Sequence, residues 1–322
     1  MSVRRTIAQA LAFDQDAKLK FLPEGPFPLG KNRISWVAIQ HGADETEGSL
    51  NILDLSTGTN RSFPLPGRPG FAFPTDREDV FVIGLERQLG MFNIQDQSWS
   101  PFCDGVDSDV SGTIINDGIA LGSHLIFGTK DLEFKTTKAG LYLFRGTDQK
   151  LIRLRNDQLC SNGKAILAAD DDHVVFLDID SPTRKVVRYT LDMAAGTLST
   201  PQTVIDFAGD PAVPDGQTLC PDGKSTVVSM FRPEVAAFGE ARRYDLETGE
   251  CIEIWETPGS PQNTCPQWVQ GDRGVDLVMT TAIENFTAAQ QAECPAAGQL
   301  FVAPTEFQSL PDAVLHRFPV GS

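Results

Sequence analysis

Several features that mark other protein classes are missing from this chain. Its 322 residues contain no run of about 18 apolar residues, the length that a helix needs to cross a membrane. The first residues, MSVRRTIAQALAFDQDAKLKF, lack the apolar stretch of a signal peptide. The six cysteines show no CxxC spacing, which argues against a zinc finger and indicates free thiols. We therefore predict a soluble, cytoplasmic protein with no membrane partner.

Basic patches and several enzyme motifs are also absent. The chain has 27 Lys and Arg against 43 Asp and Glu, a net charge of −16, and no stripe of basic residues that would grip phosphates. No G-x-S-x-G, G-x-x-x-x-G-K-[ST] or G-x-G-x-x-G pattern stands between a strand and a helix, and the four histidines show no metal spacing. We expect no nucleic-acid partner, and serine hydrolases, NTPases, dinucleotide-binding enzymes and zinc hydrolases are disfavoured.

What the chain does contain is a sixfold repeat of strand signals. Each repeat opens with a run rich in β-branched and aromatic residues, at 34–39, 79–85, 124–129, 173–179, 225–231 and 275–282. A second strand signal follows each run, at 50–55, 89–94, 141–144, 186–191, 241–246 and 300–303. Sheet repeats of about 40 to 50 residues are typical of β-propellers. The prediction is an all-β, six-bladed β-propeller with four-stranded antiparallel blades, in one domain over 1–322 with an N-terminal extension of about 1–15.

Four short polar motifs stand at the same place in four repeats, each ahead of the opening run. They are Glu24-Gly25-Pro26, Asn116-Asp117-Gly118, Ser161-Asn162-Gly163 and Pro214-Asp215-Gly216. Corresponding positions of different blades converge on one end of a propeller's channel, so Glu24, Asn116, Asn162 and Asp215 are expected to meet. Oxygen donors are the ligands that Ca²⁺, Mg²⁺ and Mn²⁺ prefer when no imidazole or thiolate competes. The sequence therefore predicts a metal site in the central channel.

The order and spacing of these motifs resemble the gluconolactonase, regucalcin and senescence-marker-protein family of six-bladed propellers, over about 21–304. By position, the resemblance implies that Glu24, Asn162 and Asp215 bind one divalent cation, with Ca²⁺ preferred and Mg²⁺, Mn²⁺ or Zn²⁺ as alternatives. It implies that Asn116 faces the substrate or completes the coordination shell, and that Asp215 is also the general base. The implied activity is the hydrolysis of a small lactone, such as a sugar lactone, to its hydroxy acid.

Some positions depart from the family's pattern. Ile114 stands where many sugar-lactone members carry Arg, Lys130 stands where Met is usual, and Lys164 stands where an apolar residue is common. Ile114 and Lys130 together leave room for a substrate that is not a sugar. Lys130, Lys164 and Glu133, which falls near a family position that can contact substrate, are candidate substrate-binding residues. For each of these three residues, a solvent-exposed charge with no role in binding is an equally good interpretation.

Other readings stay open at this point. Related propellers cleave organophosphates with a similar metal arrangement, and a propeller can also be a noncatalytic, calcium-binding regulator. Asp117 is either a turn residue or a carboxylate that contacts the metal ligands from behind, and the turn is preferred. Asp222 of Pro221-Asp222-Gly223, which repeats the tripeptide around Asp215, is predicted to lie in a hairpin turn. The sequence indicates no oligomeric state.

Overall fold

Six small β-sheets make up the molecule, which is seen in a computed structural model that describes residues 3–320. From the innermost strand outwards, blade 1 contains Pro23–Gly30, Arg33–Ala38, Ser49–Asp54 and Thr59–Pro64, and blade 2 contains Pro69–Pro74, Val80–Leu85, Gln88–Asn93 and Ser98–Cys103. Blade 3 contains Thr113–Leu121, His124–Asp131, Ala139–Arg145 and Lys150–Gln158. In blade 4, Ser161–Ala169, His173–Asp180 and Lys185–Asp192 are followed by Thr197–Leu198 and Gln202–Asp206, which both pair with the third strand.

The last two blades include the N-terminal segment. Blade 5 contains Val213–Leu219, Ser225–Phe231, Phe238–Asp245 and Cys251–Pro258, and Arg4–Ile7 pairs with its outer edge in parallel. Blade 6 contains Asn263–Gln270, Val275–Thr281 and Phe301–Pro304, and its outermost strand is Gln9–Ala10. The segment predicted as an N-terminal extension thus supplies edge strands to two blades, and blade 6 joins strands from the two ends of the chain.

The prediction of an all-β, six-bladed propeller is confirmed. The opening runs form the second strands of the six blades, and the second strand signals form the third strands. In the described part of the chain the helical segments are short: the α-helix Ala288–Glu293 and the 3-10 turns Ala17–Lys20, Ser181–Thr183 and Asp312–Leu315. Among residues 3–320, no helix is long and apolar enough to cross a membrane.

The hydrophobic core is divided among the six interfaces between neighbouring blades, each of which holds one large cluster of buried side chains. Side chains alternate between the two faces of a strand. In the second strand of blade 1, Trp36 therefore packs towards blade 6, whereas Val37 packs towards blade 2. Because these strands are covered on both faces, they appear in the sequence as nearly continuous apolar runs.

The innermost strands form a closed ring around the channel, since each contacts the innermost strands of the two neighbouring blades. Every one of the six also shows a shift in pairing register against its second strand, as between Glu24 and Phe27 or between Pro214 and Gln217. Such bulges bend a strand and redirect its side chains. They occur where the four polar motifs lie, near the beginning of the innermost strands.

Candidate functional site

The four predicted motif residues lie together on one cavity. Glu24, Asn116, Asn162 and Asp215 come from the innermost strands of blades 1, 3, 4 and 5, and all four line a space of about 190 Å³ at the end of the channel where those strands begin. We call this space the site cavity. Lys130 also lines it, so five of the seven predicted site residues are brought together. Asn116, Asn162 and Asp215 are each no more than 7% exposed.

Two glycines allow the innermost strands to approach closely at this point. A Cβ atom on Gly163 would lie 2.7 Å from the carbonyl oxygen of Asp215, and one on Gly216 would lie 2.8 Å from Cα of Cys265. Both distances are too short for a real side chain, so only glycine lets blades 4, 5 and 6 meet. The Asn-Gly and Asp-Gly pairs thus serve close packing here rather than a reversal of the chain.

A short hydrogen-bond chain orients the two asparagines. Asn116 donates from Nδ2 to Oδ1 of Asn162 and to the carbonyl oxygen of Ser161, both at 2.8 Å. Asn162 in turn donates from Nδ2 to Oγ of Ser181 at 2.8 Å. The amide nitrogens are therefore engaged by the protein, and in the part of the chain that the structure describes no donor reaches Oδ1 of Asn116. That oxygen is available to a ligand.

The carboxyl groups of Glu24 and Asp215 are buried and interact electrostatically with each other. Burial and the negative charge of Asp117 raise the pKa of Glu24 to about 8, against the opposing effects of the Gly25 N–H and Lys130. Burial, followed by the charge of Glu24, raises the pKa of Asp215 well above its ordinary value. Glu24 accepts a 3.1 Å hydrogen bond from Gly25 N, whereas Asp215 accepts none from residues 3–320. The surrounding protein therefore does not balance the negative charge that the two groups would carry if both were ionised.

Lys130 is the positively charged group on this cavity. Its residue is 5% exposed, and it lowers the pKa of both Glu24 and Asp215. Within the described residues, its ammonium has neither a hydrogen-bond acceptor nor an ion-pair partner among the side chains. An ammonium group on a largely buried residue is rarely left without a protein partner, because desolvation of a charge is costly. Lys130 is thus placed to interact with whatever occupies the cavity.

The prediction that Asp117 is a turn residue is wrong. Asp117 lies inside the strand Thr113–Leu121, within its bulge, and accepts a 2.6 Å hydrogen bond from Gly118 N. It lines a second cavity of about 370 Å³ further along the channel, which we call the far cavity. Burial raises the pKa of its carboxyl group. The bulge places Asn116 and Asp117 on different cavities, although they are neighbours in sequence.

Lys164 does not reach the site cavity. Its side chain lines the far cavity, and its ammonium contacts Ser161 Oγ at 2.9 Å, the carbonyl oxygen of Asn162 at 2.7 Å and Asp178 Oδ1 at 3.1 Å. Lys164 and Asp178 are 3% and 1% exposed. Because the register shifts between Asn162 and Lys164, the two side chains leave the strand towards different cavities. The structure gives Lys164 contacts that support the backbone of Asn162.

Glu133 is not brought to the site cavity either. It lies in the turn after the second strand of blade 3, where its carboxylate pairs with Lys135 at 3.1 Å and both side chains are mostly exposed. Its neighbour Phe134 does line the cavity. Ile114, the departure noted before Asn116, is 1% exposed in the core between blades and lines neither cavity.

Sequence reasoning missed several residues that line the site cavity, among them Phe134, Cys160, Ser181 and Glu284. Ser181 and Glu284 follow the second strands of blades 4 and 6, and Cys160 stands just ahead of Ser161. Their places in the repeat are a signal of position, since residues after second strands and before innermost strands lie at the same end of the channel. Nothing in their own sequence context marks them as lining residues.

The donor set fits a hard divalent cation. Between residues 3 and 320, no three His, Cys, Asp or Glu side chains are grouped as a metal cluster, which is expected for a set in which two of the four members are asparagines. Glu24, Asn116, Asn162 and Asp215 offer only oxygen atoms, and the uncompensated charge of the two carboxylates favours a cation between them. Cys160, whose pKa is raised by burial, remains a neutral thiol.

Comparisons of the sequence identify a family and a similar bacterial protein. The family described as the SMP-30/Gluconolactonase/LRE-like region matches residues 22–283. A protein of Bacillus subtilis strain 168, YvrE, whose name proposes a sugar lactone lactonase, is 27% identical over 295 residues, which cover 90% of this chain and 94% of that protein.

Solved structures agree on the fold. Regucalcin from Agrobacterium tumefaciens strain C58, described as a calcium-binding protein, has a TM-score of 0.76 at 20% identity, covering 96% of this chain and 99% of that one. The gluconolactonase XC5397 from Xanthomonas campestris has a TM-score of 0.61 at 14% identity, covering 92% and 89%. At these identities the two structures support the propeller architecture.

Proposed function

The chain belongs to the SMP-30/gluconolactonase/LRE-like family, and from this we propose that it is a metal-dependent lactonase, which hydrolyses a small lactone to its hydroxy acid. The observation that carries the proposal is the meeting of Glu24, Asn116, Asn162 and Asp215 from four blades on one cavity. The name of YvrE supports the choice of a lactone as substrate.

Glu24, Asn162 and Asp215 would hold one divalent cation, with Ca²⁺ first among the candidates. Oxygen ligands of mixed charge suit calcium, which binds carboxylates and amide carbonyls together. The chemistry that such a cation supplies is Lewis acidity, which polarises an ester carbonyl and favours negative charge on its oxygen. The raised pKa values of Glu24 and Asp215 support a cation at this place, because a nearby positive charge would return both groups to the ionised form.

Asp215 is the proposed general base. Since the described protein donates no hydrogen bond to its carboxylate, Asp215 has lone pairs free to accept the proton of a water that attacks the carbonyl carbon. Cleavage of the ring carbon–oxygen bond follows, and the proton returns from Asp215 to the departing ring oxygen. The products are a carboxylate group and a hydroxyl group on one molecule, and atoms and charge balance once the acid ionises.

Asn116 and Lys130 are the proposed substrate contacts. The amide nitrogen of Asn116 is held by Ser161 and Asn162, so the orientation of its side chain is set before a ligand arrives. The unpaired ammonium of Lys130 supplies a hydrogen-bond donor to a carbonyl oxygen on the same cavity. Lys164 and Glu133 do not line the site cavity and are not proposed to contact the substrate.

The test is a hydrolysis assay with chelated protein before and after addition of Ca²⁺, Mg²⁺, Mn²⁺ or Zn²⁺. Gluconolactone, alkyl-substituted lactones and a phosphotriester are compared side by side. Turnover of a lactone that appears only with added cation supports the proposal. Turnover of the phosphotriester alone would identify an organophosphate hydrolase instead. If folded, cation-loaded protein turns over none of the substrates, the protein is a noncatalytic, cation-binding propeller.

A further inference from the structure

The walls of the site cavity differ in character from the region that the four motif residues form. Six of the ten other lining residues have apolar side chains: Leu22, Ile39, Phe134, Val213, Phe231 and Pro233. These residues come from blades 1, 3 and 5, so the apolar lining surrounds the cavity from several sides. The walls and the motif residues therefore suit different parts of a ligand.

Few polar side chains remain on the walls to bind hydroxyl groups. Apart from the motif residues, the polar side chains on the lining are Lys130, Ser181 and Glu284. Ser181 Oγ already accepts a hydrogen bond from Asn162, so it can form fewer hydrogen bonds with a ligand. A polyhydroxylated ligand would leave several of its hydroxyl groups buried without partners, and each buried polar group that lacks a partner weakens binding.

Phe134 is the most unusual of the apolar lining residues. It is 50% exposed, lines the cavity, and has a backbone φ of 51°, a left-handed conformation that is uncommon for an aromatic residue. Among the described residues, Phe134 belongs to none of the clusters of buried side chains between blades. An apolar side chain that is held in a strained conformation at a cavity, and is not used for packing, suggests a ligand contact.

The turn that presents Phe134 is built around one buried carboxylate. Asp131 accepts hydrogen bonds from the backbone N–H groups of Glu133, Lys135 and Thr136, at 2.9 to 3.1 Å, and pairs with Lys138 at 3.1 Å. These contacts hold the residues on both sides of Phe134. The backbone position of Phe134 is therefore fixed by the hydrogen bonds of this turn.

We propose that the substrate is a lactone with an apolar alkyl or aryl substituent, rather than a polyhydroxylated sugar lactone. This inference rests on the proposed lactonase function and specifies its substrate class. The lactone carbonyl lies towards Lys130 and the motif residues, and the substituent packs against Phe134 and the apolar walls. Phe134 is then a specificity-determining residue. Lys130 can donate a hydrogen bond to the carbonyl oxygen, because its ammonium forms no ion pair with a carboxylate of the described residues.

A matched pair of substrates tests the substrate class. Glucono-1,5-lactone and δ-decanolactone share the six-membered ring, and differ in bearing hydroxyl groups or an alkyl chain. With cation-loaded protein, we expect kcat/KM to be at least about 10-fold higher for δ-decanolactone. Equal or better turnover of gluconolactone overturns the inference and leaves the lactonase function standing. Turnover of neither lactone overturns the lactonase function, and the inference with it.

A variant of Phe134 tests the assigned contact. Phe134→Asn removes the ring but keeps a residue that tolerates positive φ, so the turn around Asp131 is retained. We expect kcat/KM to fall about 10-fold more for δ-decanolactone than for unsubstituted δ-valerolactone, mainly through KM. The matched control is Phe102→Asn, at an exposed phenylalanine of blade 2 that lines neither cavity. Equal losses for both lactones in the Phe134 variant would contradict the role of the ring.

Discussion

Nδ2 of Asn116 donates a 2.8 Å hydrogen bond to Oδ1 of Asn162, and this contact joins the innermost strands of blades 3 and 4 at the site cavity. The residues are 46 positions apart in sequence. Their contact exists because the propeller repeats bring equivalent positions of adjacent blades side by side. The same contact engages the amide nitrogen of Asn116 and leaves its oxygen without a donor among the described residues, and so links the fold to the proposed binding of a ligand.

Asn116→Ala is expected to lower the free energy of unfolding of the cation-free protein by about 1–3 kcal/mol, because Asn162 Oδ1 and the Ser161 carbonyl lose a buried donor. Urea denaturation with chelator present measures the change. Asn156→Ala, at an exposed position in the outermost strand of blade 3, is the control and should change stability little. Equal stability of the two variants would show that the Asn116 contact contributes nothing.

The stability of cation-free protein should fall as the pH rises. The pKa of Glu24 is about 8 in the folded protein and 4.5 in the reference state, so the folded protein binds the proton more tightly and is most stable below about pH 4.5. Between that pH and about 8 we expect a loss of about 2–4 kcal/mol, measured by urea denaturation with chelator.

Two further samples check that the pH dependence comes from this site. Glu24→Gln removes one of the two titrating carboxyl groups and should make the profile shallower, and saturating Ca²⁺ should do so more completely because the cation balances both carboxylates. A profile that is unchanged in Glu24→Gln would assign the pH dependence to other groups.

Gly163→Ala should destabilise the protein by about 1–3 kcal/mol, since the new Cβ would meet the carbonyl oxygen of Asp215 and the backbone nitrogen of Gln217. It should also weaken cation binding, because the clash displaces Asp215. Thermal unfolding and calcium titration measure the two effects. At Gly105 an added Cβ makes only a 3.4 Å contact, with a side-chain carbon, so Gly105→Ala is the control. Comparable behaviour of both variants would contradict the close-packing role.

The buried ion pair of Lys164 and Asp178 should show strong coupling. Lys164→Met removes the ion-pair partner of buried Asp178, which keeps the hydrogen bond from Gln158, and is expected to cost about 3–5 kcal/mol. The double variant Lys164→Met/Asp178→Leu should cost clearly less. Lys135→Met, which breaks the exposed pair with Glu133, is the matched surface control and should cost less than about 1 kcal/mol. Additive effects of the two buried substitutions, measured by urea denaturation, would rule out the coupling.

The blades, and the four motif residues that meet on one cavity, could be predicted from the sequence because both depend on a repeat. Asp215 and Asp222 show how far that information goes. Each stands in Pro-Asp-Gly, yet Asp215 lies in an innermost strand and Asp222 lies in a turn, where it accepts hydrogen bonds from Lys224 N and Ser225 N and pairs with Arg243. Position within the repeat separated them, as predicted, where the tripeptide alone did not.

The direction of individual side chains was not readable in advance. The bulges in the innermost strands turn Lys164 and Asp117 towards the far cavity, and a register shift of this kind leaves no clear mark in a sequence. Phe134 was missed for a different reason: its left-handed conformation depends on hydrogen bonds to Asp131, which form only once the turn is folded.

The most direct test of the central claim is lactone hydrolysis as a function of added Ca²⁺, measured for chelated wild-type protein, Asp215→Asn and the control Asp222→Asn. We predict that Ca²⁺ restores turnover to wild type and to folded Asp222→Asn, and that Asp215→Asn loses at least about 100-fold in kcat. Full Ca²⁺-dependent turnover by Asp215→Asn, or turnover by wild type that is indifferent to chelation, would contradict this prediction.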